Sequence, residues 1–158
     1  QTANLSRAKI FGSRFLSINA SGSSFNKADV NGSDFTSGLF VNADFNEAVF
    51  KESDFSNASL QGTSLLGTDF SGCILSSANL TSVDGSSSDF SNCTLTDATL
   101  SGQYSFSSFK AATLTGADFS GSDLTQADFT GATGFDPSSY SNVIFFKTIL
   151  PDGTVHND

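Results

Sequence analysis

The chain has 158 residues, enough for one domain, and no run of eighteen apolar residues, so it carries no candidate membrane-spanning helix. Sixteen acids against seven bases give a formal charge of -9, which speaks against a protein that grips nucleic-acid phosphates through a basic stripe. Seventeen phenylalanines, in a chain otherwise rich in Ser, Asn, Asp, Gly and Ala, exclude a disordered low-complexity segment.

From its first residues the sequence repeats, and the period is five. Large apolar residues recur at Leu5, Ile10, Phe15, Phe25, Val30, Phe35, Phe40, Phe45, Phe50, Phe55, Leu60, Leu65, Phe70, Leu75, Leu80, Phe90, Leu95 and Leu100. Two positions before each of these centres lies a small residue, among them Ala8, Ala28, Ala43, Ala58, Cys73, Ala78, Cys93 and Ala98. A period of five fits neither the 3.6 of a helix nor the 2.0 of a strand, so neither element keeps the centres on one face. The chain must instead turn once per pentad. If each pentad is one side of a square, centres and small residues share one interior. Four pentads then close a coil of about twenty residues, and coils stack at the ~4.8 Å spacing of β-strands.

Two centres break the rule, Ala20 and Gly85, and each has a branched residue, Ile18 or Val83, in its small position. Large and small have traded places there, a swap that keeps interior volume. Cys73 and Cys93 lie one coil apart in the small position, with Cα atoms at ~4.8 Å, inside the disulfide window. Parallel stacking sets their Cβ atoms near the same spacing, beyond the usual ~3.5–4.5 Å, so free buried thiols are expected and a bridge is the alternative.

Between Leu100 and Phe109 nine residues span what should be ten, or else one pentad carries a four-residue insertion. The segment holds Tyr104 and Phe106 and is expected to bulge, either as packing or beside a functional site. The series then resumes through Phe109, Leu114, Phe119, Leu124 and Phe129. At Gly134-Phe135-Asp136-Pro137 the period stops. Asp136 suits a helix cap, Pro137 a first helical position, and Tyr140, Val143 and Ile144 lie at helical spacing. A short helix from 137 to about 147, folded over the last coil, is expected from these signals, with Pro151-Asp152-Gly153 as a turn before the tail.

Triplets such as Ala28-Asp29-Val30, Ala43-Asp44-Phe45, Ala78-Asn79-Leu80, Ala117-Asp118-Phe119 and Ala127-Asp128-Phe129 resemble the pentapeptide-repeat family, roughly from residue 3 to 132. The resemblance implies an all-β fold, a right-handed quadrilateral parallel β-helix over residues 1–133, with the helical cap and tail over 134–158. It also implies a protein without catalytic activity, since most members have no assigned biochemical role. Many members occur in cyanobacteria and the chloroplast lumen, and the start at Gln1 rather than Met fits an exported protein of the periplasm or thylakoid lumen. The repeat is already running at Ala3, so the first coil is expected to be frayed, bare or covered by another copy, which makes a homo-oligomer through that coil one expectation.

Catalysis finds no support in the residues. His156 is the only histidine and lies two residues from the end, so no base is positioned for a Ser-His-Asp or Cys-His arrangement. No cofactor motif or metal-ligand spacing is present. Most aspartates, among them Asp29, Asp44, Asp69, Asp89, Asp118 and Asp128, stand just before a centre, which reads as a solvated polar position bonding its own turn. Asn-x-Ser/Thr matches such as Asn4-Leu5-Ser6, Asn57-Ala58-Ser59 and Asn79-Leu80-Thr81 arise from the repeat itself.

What remains is a docking surface for an unidentified protein partner. On the side carrying Ile10, Val30, Phe50, Phe70 and Phe90, the residues Asp29, Asp69 and Asp89, with Glu52 nearby and Asp128 if the slip is a deletion, form an acidic stripe. The side of Phe40, Leu60, Leu80 and Leu100 presents Leu39, Ser59, Asn79 and Thr99 and is almost uncharged. The alternative is an acidic mimic of duplex DNA that binds DNA gyrase, as some family members do. A rod of roughly 30 Å of duplex carries ~18 negative charges, about twice the net charge here, and Arg7, Lys9, Arg14 and Lys27 make one end basic.

Overall fold

The computed structural model describes residues 2–157, and backbone pairing in it follows the five-residue period. Four parallel ladders run the length of the stack. The first joins Asn4, Ser24, Asp44, Ser64 and Asp84; the second Lys9, Asp29, Val49, Asp69 and Asp89; the third Arg14, Asp34, Asp54, Ile74 and Thr94; the fourth Asn19, Leu39, Ser59, Asn79 and Thr99. Each step is twenty residues, so four pentads make one coil, and each ladder is one side of a four-sided β-helix.

One hydrogen-bond pattern recurs through most of the stack. Phe50 N–H donates to Asp69 O in the next coil at 2.8 Å, Asp69 N–H returns to Ala48 O at 2.9 Å, and Glu52 N–H donates to Ser71 O at 3.1 Å. At the corner, Ser53 N–H donates back to Phe50 O at 3.1 Å. The residue after the centre is left with no backbone acceptor. The carboxylate or amide before the centre takes its N–H instead: Asp54 Oδ1 from Ser56 at 2.8 Å, Asp69 from Ser71 at 3.0 Å, and Asp89 from Ser91 at 2.8 Å. The Asp or Asn of the motif is therefore the acceptor that completes the backbone, since a buried or half-buried orphan N–H is costly.

The interior is filled by the predicted columns. Phe25, Phe35, Phe45, Phe50, Phe55 and Phe70 are all fully buried; on the second and third sides rings one coil apart stack face to face, as Phe50 on Phe70 at 5.4 Å and Phe90 on Phe109 at 5.0 Å, while on the first side Phe25 meets Phe45 edge-on at 5.1 Å. Polar small residues bond inside: the hydroxyls of Ser53 and Thr68 donate to Val30 O at 3.0 Å and Phe45 O at 2.8 Å, one coil earlier. Cys73 and Cys93 are free, and their thiols make the same bond to Phe50 O and Phe70 O, each at 2.9 Å.

The irregularity at residues 101–108 is not a bulge. Strand β1 (Val83–Asp84) pairs with β2 (Gly102–Gln103) in parallel register, Val83 opposite Gly102, and Asp89 then pairs with Ser108, nineteen residues on. One corner residue is missing, so the coil tightens rather than extruding a loop. Packing compensates on both sides. Val83 is large in a small position, and its partner Gly102 has no room for a side chain, since a Cβ there would lie 2.5 Å from Val83 O. Gly85, the vacant centre, lies under the ring of Tyr104, which would come within 2.8 Å of an added Cβ.

The expected C-terminal helix does not form. Asp136 does cap a turn, its Oδ1 accepting from Ser138 N–H at 3.0 Å, but the turn is one 3-10 segment, Pro137–Ser139, and Tyr140 is already extended. The ladders outcompete the helix. After one inserted residue the pentads resume: Asp123 pairs with Ile144 and Asp128 with Ile149, while Phe145 is buried as a centre and Thr148 as a small residue. Tyr140, Phe145 and Leu150 are spaced by five, a pattern that the helical spacing of Tyr140, Val143 and Ile144 conceals. Residue 133 thus marks where the period is offset, and the stack continues beyond it. Strand β3 (Thr148–Ile149) is then covered by β4 (Val155–His156), antiparallel, with Ile149 opposite Val155. Reversing the strand direction ends one edge of the stack.

Candidate functional site

The ladder fixes where each side chain of the expected stripe stands. Lys9, Asp29, Val49, Asp69, Asp89, Ser108, Asp128 and Ile149 succeed one another on the second side, so Asp128 joins it through the missing corner residue. Of the expected acids only Asp69 and Asp89 occupy adjacent coils; Val49 separates Asp29 from Asp69, and Ser108 separates Asp89 from Asp128. Glu52 stands at the adjoining corner with a left-handed backbone, φ 57°.

Sequence reading missed two lysines that stand just after their centres. Lys51 Nζ lies 3.1 Å from Asp69 Oδ2, and Lys110 Nζ lies 3.0 Å from Asp128 Oδ2. The signal was present: the residue after each centre points outward next to the residue before it, so both columns set the charge of a side. Burial pushes the Asp69 carboxyl up, but the bonds from Ser71 and the ammonium of Lys51 outweigh it and hold the group below the ordinary carboxylate value. Asp128 is lowered in the same way by Thr130 and Lys110. Asp29, Glu52 and Asp89 have no ion pair within 4.0 Å among the described residues.

Tyr104 and Phe106, two residues apart, have opposite fates. Tyr104 is fully buried, its hydroxyl donating to Leu80 O at 3.4 Å, and burial holds its phenol well above its ordinary value. Phe106 stands at an exposed corner with φ 62°. The fourth side, opposite the stripe, carries Leu39, Ser59, Asn79, Thr99 and Asp118.

Reactive chemistry is withheld by burial. Desolvation raises the Cys73 thiol to about 12 and Cys93 well above its ordinary value, so both stay protonated. His156 packs edge-on against Phe145 at 5.0 Å, in the cap. A cleft of about 530 Å³ opens beside it, lined by Asp136, Tyr140, Val143, Phe145 and Leu150. Among the described residues no group of His, Cys, Asp and Glu is placed to hold a metal ion, and no helix is long and apolar enough to cross a membrane.

Comparison with known proteins follows the same period. Two family models match: a pentapeptide repeat region over residues 33–104 and pentapeptide repeats, in eight copies, over residues 3–40 and 105–133. No curated protein matches the chain in sequence. Among solved structures, full-length QnrB1, a plasmid-mediated fluoroquinolone resistance protein, is 20% identical over 98% of this chain and 87% of its own, with a TM-score of 0.65. HetL, a pentapeptide repeat protein involved in heterocyst differentiation regulation in the cyanobacterium Nostoc sp. strain PCC 7120, is 19% identical over 99% of this chain and 92% of its own, with a TM-score of 0.47. A pentapeptide repeat protein of the Arabidopsis thaliana thylakoid lumen is 27% identical over 70% of each chain, with a TM-score of 0.44. At such identities the likeness to QnrB1 speaks for the all-β repeat fold alone.

Proposed function

The chain belongs to the pentapeptide-repeat family, and on that premise we propose that it acts without catalysis, as a rigid rod whose second side docks a protein partner. One observation carries the reading: the second side sets Asp29, Asp69, Asp89 and Asp128 in line on a backbone ladder, and leaves Asp29, Glu52 and Asp89 without ion pairs among the described residues. A ladder bonded coil to coil fixes the spacing of these groups, one ~4.8 Å step between Asp69 and Asp89 and two steps between the others, so a partner meets a pre-ordered surface and little entropy is lost on binding. The partner chemistry this favours is a surface of lysine, arginine or amide donors, met at low to moderate salt.

The runner-up reading is an acidic mimic of duplex DNA bound by a type II topoisomerase. It draws on the fold of QnrB1 and on net charge. Lys51 and Lys110 interrupt the negative run on the very side where it is densest, and Arg7, Lys9 and Arg14 end it, so a continuous phosphate-like row is not formed.

Asp29→Asn with Asp89→Asn tests the docking reading. Asparagine keeps the acceptor for Ser91 N–H, so the melting temperature should stay within about 2 °C, while capture of partners from a source-cell extract falls. Equal capture by variant and wild type would leave the acids as solvation alone. Inhibition of gyrase supercoiling by the wild-type chain would favour the DNA mimic instead.

A further inference from the structure

At the missing corner a phenylalanine stands where the fold least favours one. Phe106 occupies a left-handed corner, φ 62°, and its ring is 59% exposed, so it has neither a relaxed backbone nor burial. Every other left-handed corner among the described residues carries glycine, alanine or a polar side chain. On the same side the corners one coil before and one coil after are Ser87 and Gln126, so the stack itself does not call for an aromatic ring there. A bulky side chain held at positive φ without a packing reason points to a contact made outside the fold.

Phe106 does not stand alone. On the first side Gln103 pairs with Asp123 and Asp123 with Ile144, while Phe106 N–H donates to Thr125 O at 2.9 Å and Gln126 N–H to Phe146 O at 2.8 Å. Ile144 and Phe146 are 51% and 48% exposed, and the uncharged Ser105, Thr125 and Gln126 lie between them and Phe106. Two charges stand at opposite corners of this patch. Asp123, half-buried, accepts from Thr125 N–H at 2.8 Å through Oδ1, and Lys147 holds its Nζ 5.2 Å from the centroid of the Phe146 ring. Neither has an ion pair within 4.0 Å among the described residues. The patch belongs to the flank of the rod and involves neither rim.

An apolar patch with an acid at one corner and a base at the other is complementary to itself. With residues ~3.3 Å apart along a strand and coils ~4.8 Å apart, a two-fold axis in this face that exchanges Asp123 with Lys147 passes close to Phe106 and carries Phe146 onto the place of Ile144. Phe106 then meets its counterpart, and each Phe146 meets an Ile144 and each Lys147 an Asp123 of the other copy. The axis is inclined to the rods, so they cross, and the acidic second sides of two chains of charge -9 diverge. An uncharged partner would leave Asp123 and Lys147 desolvated and unpaired.

We infer that the first side, anchored by Phe106, pairs two copies of this chain flank to flank in a two-fold dimer. The patch spans three coils, roughly 10 Å along the axis, well short of the ~800 Å² per partner of a standard interface, so the pair is weak, with a dissociation constant on the order of 100 µM. At the low micromolar concentrations of a denaturation experiment the rods are single. The acidic second side is a different surface, and either site stands without the other.

Sedimentation velocity of the 158-residue chain from about 10 µM to about 1 mM, at physiological salt, reads the pairing. The wild type is expected to pass from one copy to two across that range. Phe106→Ser and Phe146→Ser each place a residue that the same columns already hold, at Ser87 and Ser86, so both should keep the fold and weaken pairing about tenfold or more. Asp123→Lys and Lys147→Asp, with folding checked by circular dichroism, should each pair poorly alone and pair again when mixed, because every charge then faces its opposite. No self-association up to about 1 mM, the result for a patch that meets a different protein, would overturn the inference. Pairing by Phe106→Ser as strong as that of the wild type, or a mixture of the two charge variants that fails to recover, would overturn it as well.

Discussion

Replacing Phe55 by alanine probes the interior where it is most ordered. The side chain is fully buried; its ring stacks on Phe35 at 4.8 Å and meets Phe40, Phe50 and Phe70 edge-on at 5.7, 5.3 and 5.5 Å. Removing a buried phenylalanine costs about 3–5 kcal/mol, more when the site cannot collapse. Here it cannot, because Phe55 N–H and its neighbours are bonded to both adjacent coils, as in Phe55 N–H to Ile74 O at 2.7 Å and Asp54 N–H to Ser33 O at 3.0 Å. We expect a loss of about 4 kcal/mol and, at ~2–4 °C per kcal/mol for a chain of this size, a fall of about 8–16 °C in Tm. Phe106→Ala is the matched control: the ring is 59% exposed at a left-handed corner, so the change should stay within about 0.5 kcal/mol. Urea unfolding followed by far-ultraviolet circular dichroism, with slopes compared between variants, reads both values. Equal costs at the two positions, or a cost below about 1 kcal/mol at Phe55, would refute the stacked interior.

Other consequences follow from the corners, the thiols and the carboxylates. Gly38→Ala should cost about 1–3 kcal/mol, because its Cβ would lie 2.5 Å from Phe40 Cε2 and 2.9 Å from Phe35 O, and urea unfolding checks it. Gly85→Ala should cost a similar amount alone and far less in a Tyr104→Leu background, since the ring it strikes is gone; a double-mutant cycle with no coupling would contradict the packing at the missing corner. Mass spectrometry after alkylation should find no added groups on the native protein within an hour and two after unfolding without reductant, because Cys73 and Cys93 are buried, protonated and free. Asp34, Asp69, Asp118 and Asp128 are all held below the ordinary carboxylate value, so their contribution is present above the unfolded-state value of ~3.9 and is lost as pH falls through the folded values. Thermal melts should therefore be flat from about pH 5 to 7 and fall below about pH 4; stability rising on acidification would contradict this sign.

The rod was legible in the sequence because a period of five admits few structures, and Phe15, Phe35 and Phe55 stack where that period puts them. The cap was not, because Tyr140, Val143 and Ile144 satisfy a helical spacing while Tyr140, Phe145 and Leu150 satisfy the pentad. Local signals at Asp136 and Pro137 did form one turn, but the ladder bonds from Ile144 and Ile149 to the coil below decided the rest. The missing corner was half legible: the count of residues allowed a deletion, and only the pairing of Val83 with Gly102 shows how it packs. Asp29, Asp69, Asp89 and Asp128 share one ladder with Glu52 at the adjoining corner, but the charge of that side was overstated, since Lys51 and Lys110 lie in the column after the centres, which the reading of pre-centre residues passed over.

Photo-crosslinking from the four sides of one coil addresses the docking claim most directly. Ser86, Ser91, Thr96 and Ser101 each follow a centre in the same coil, facing outward on the first, second, third and fourth sides in turn. With a benzophenone-bearing residue at one position at a time, the partner should be captured from Ser91, beside Asp89 on the second side, and not from Ser101 opposite it. Capture from Ser101, or equally from all four positions, would contradict a docking surface on the second side.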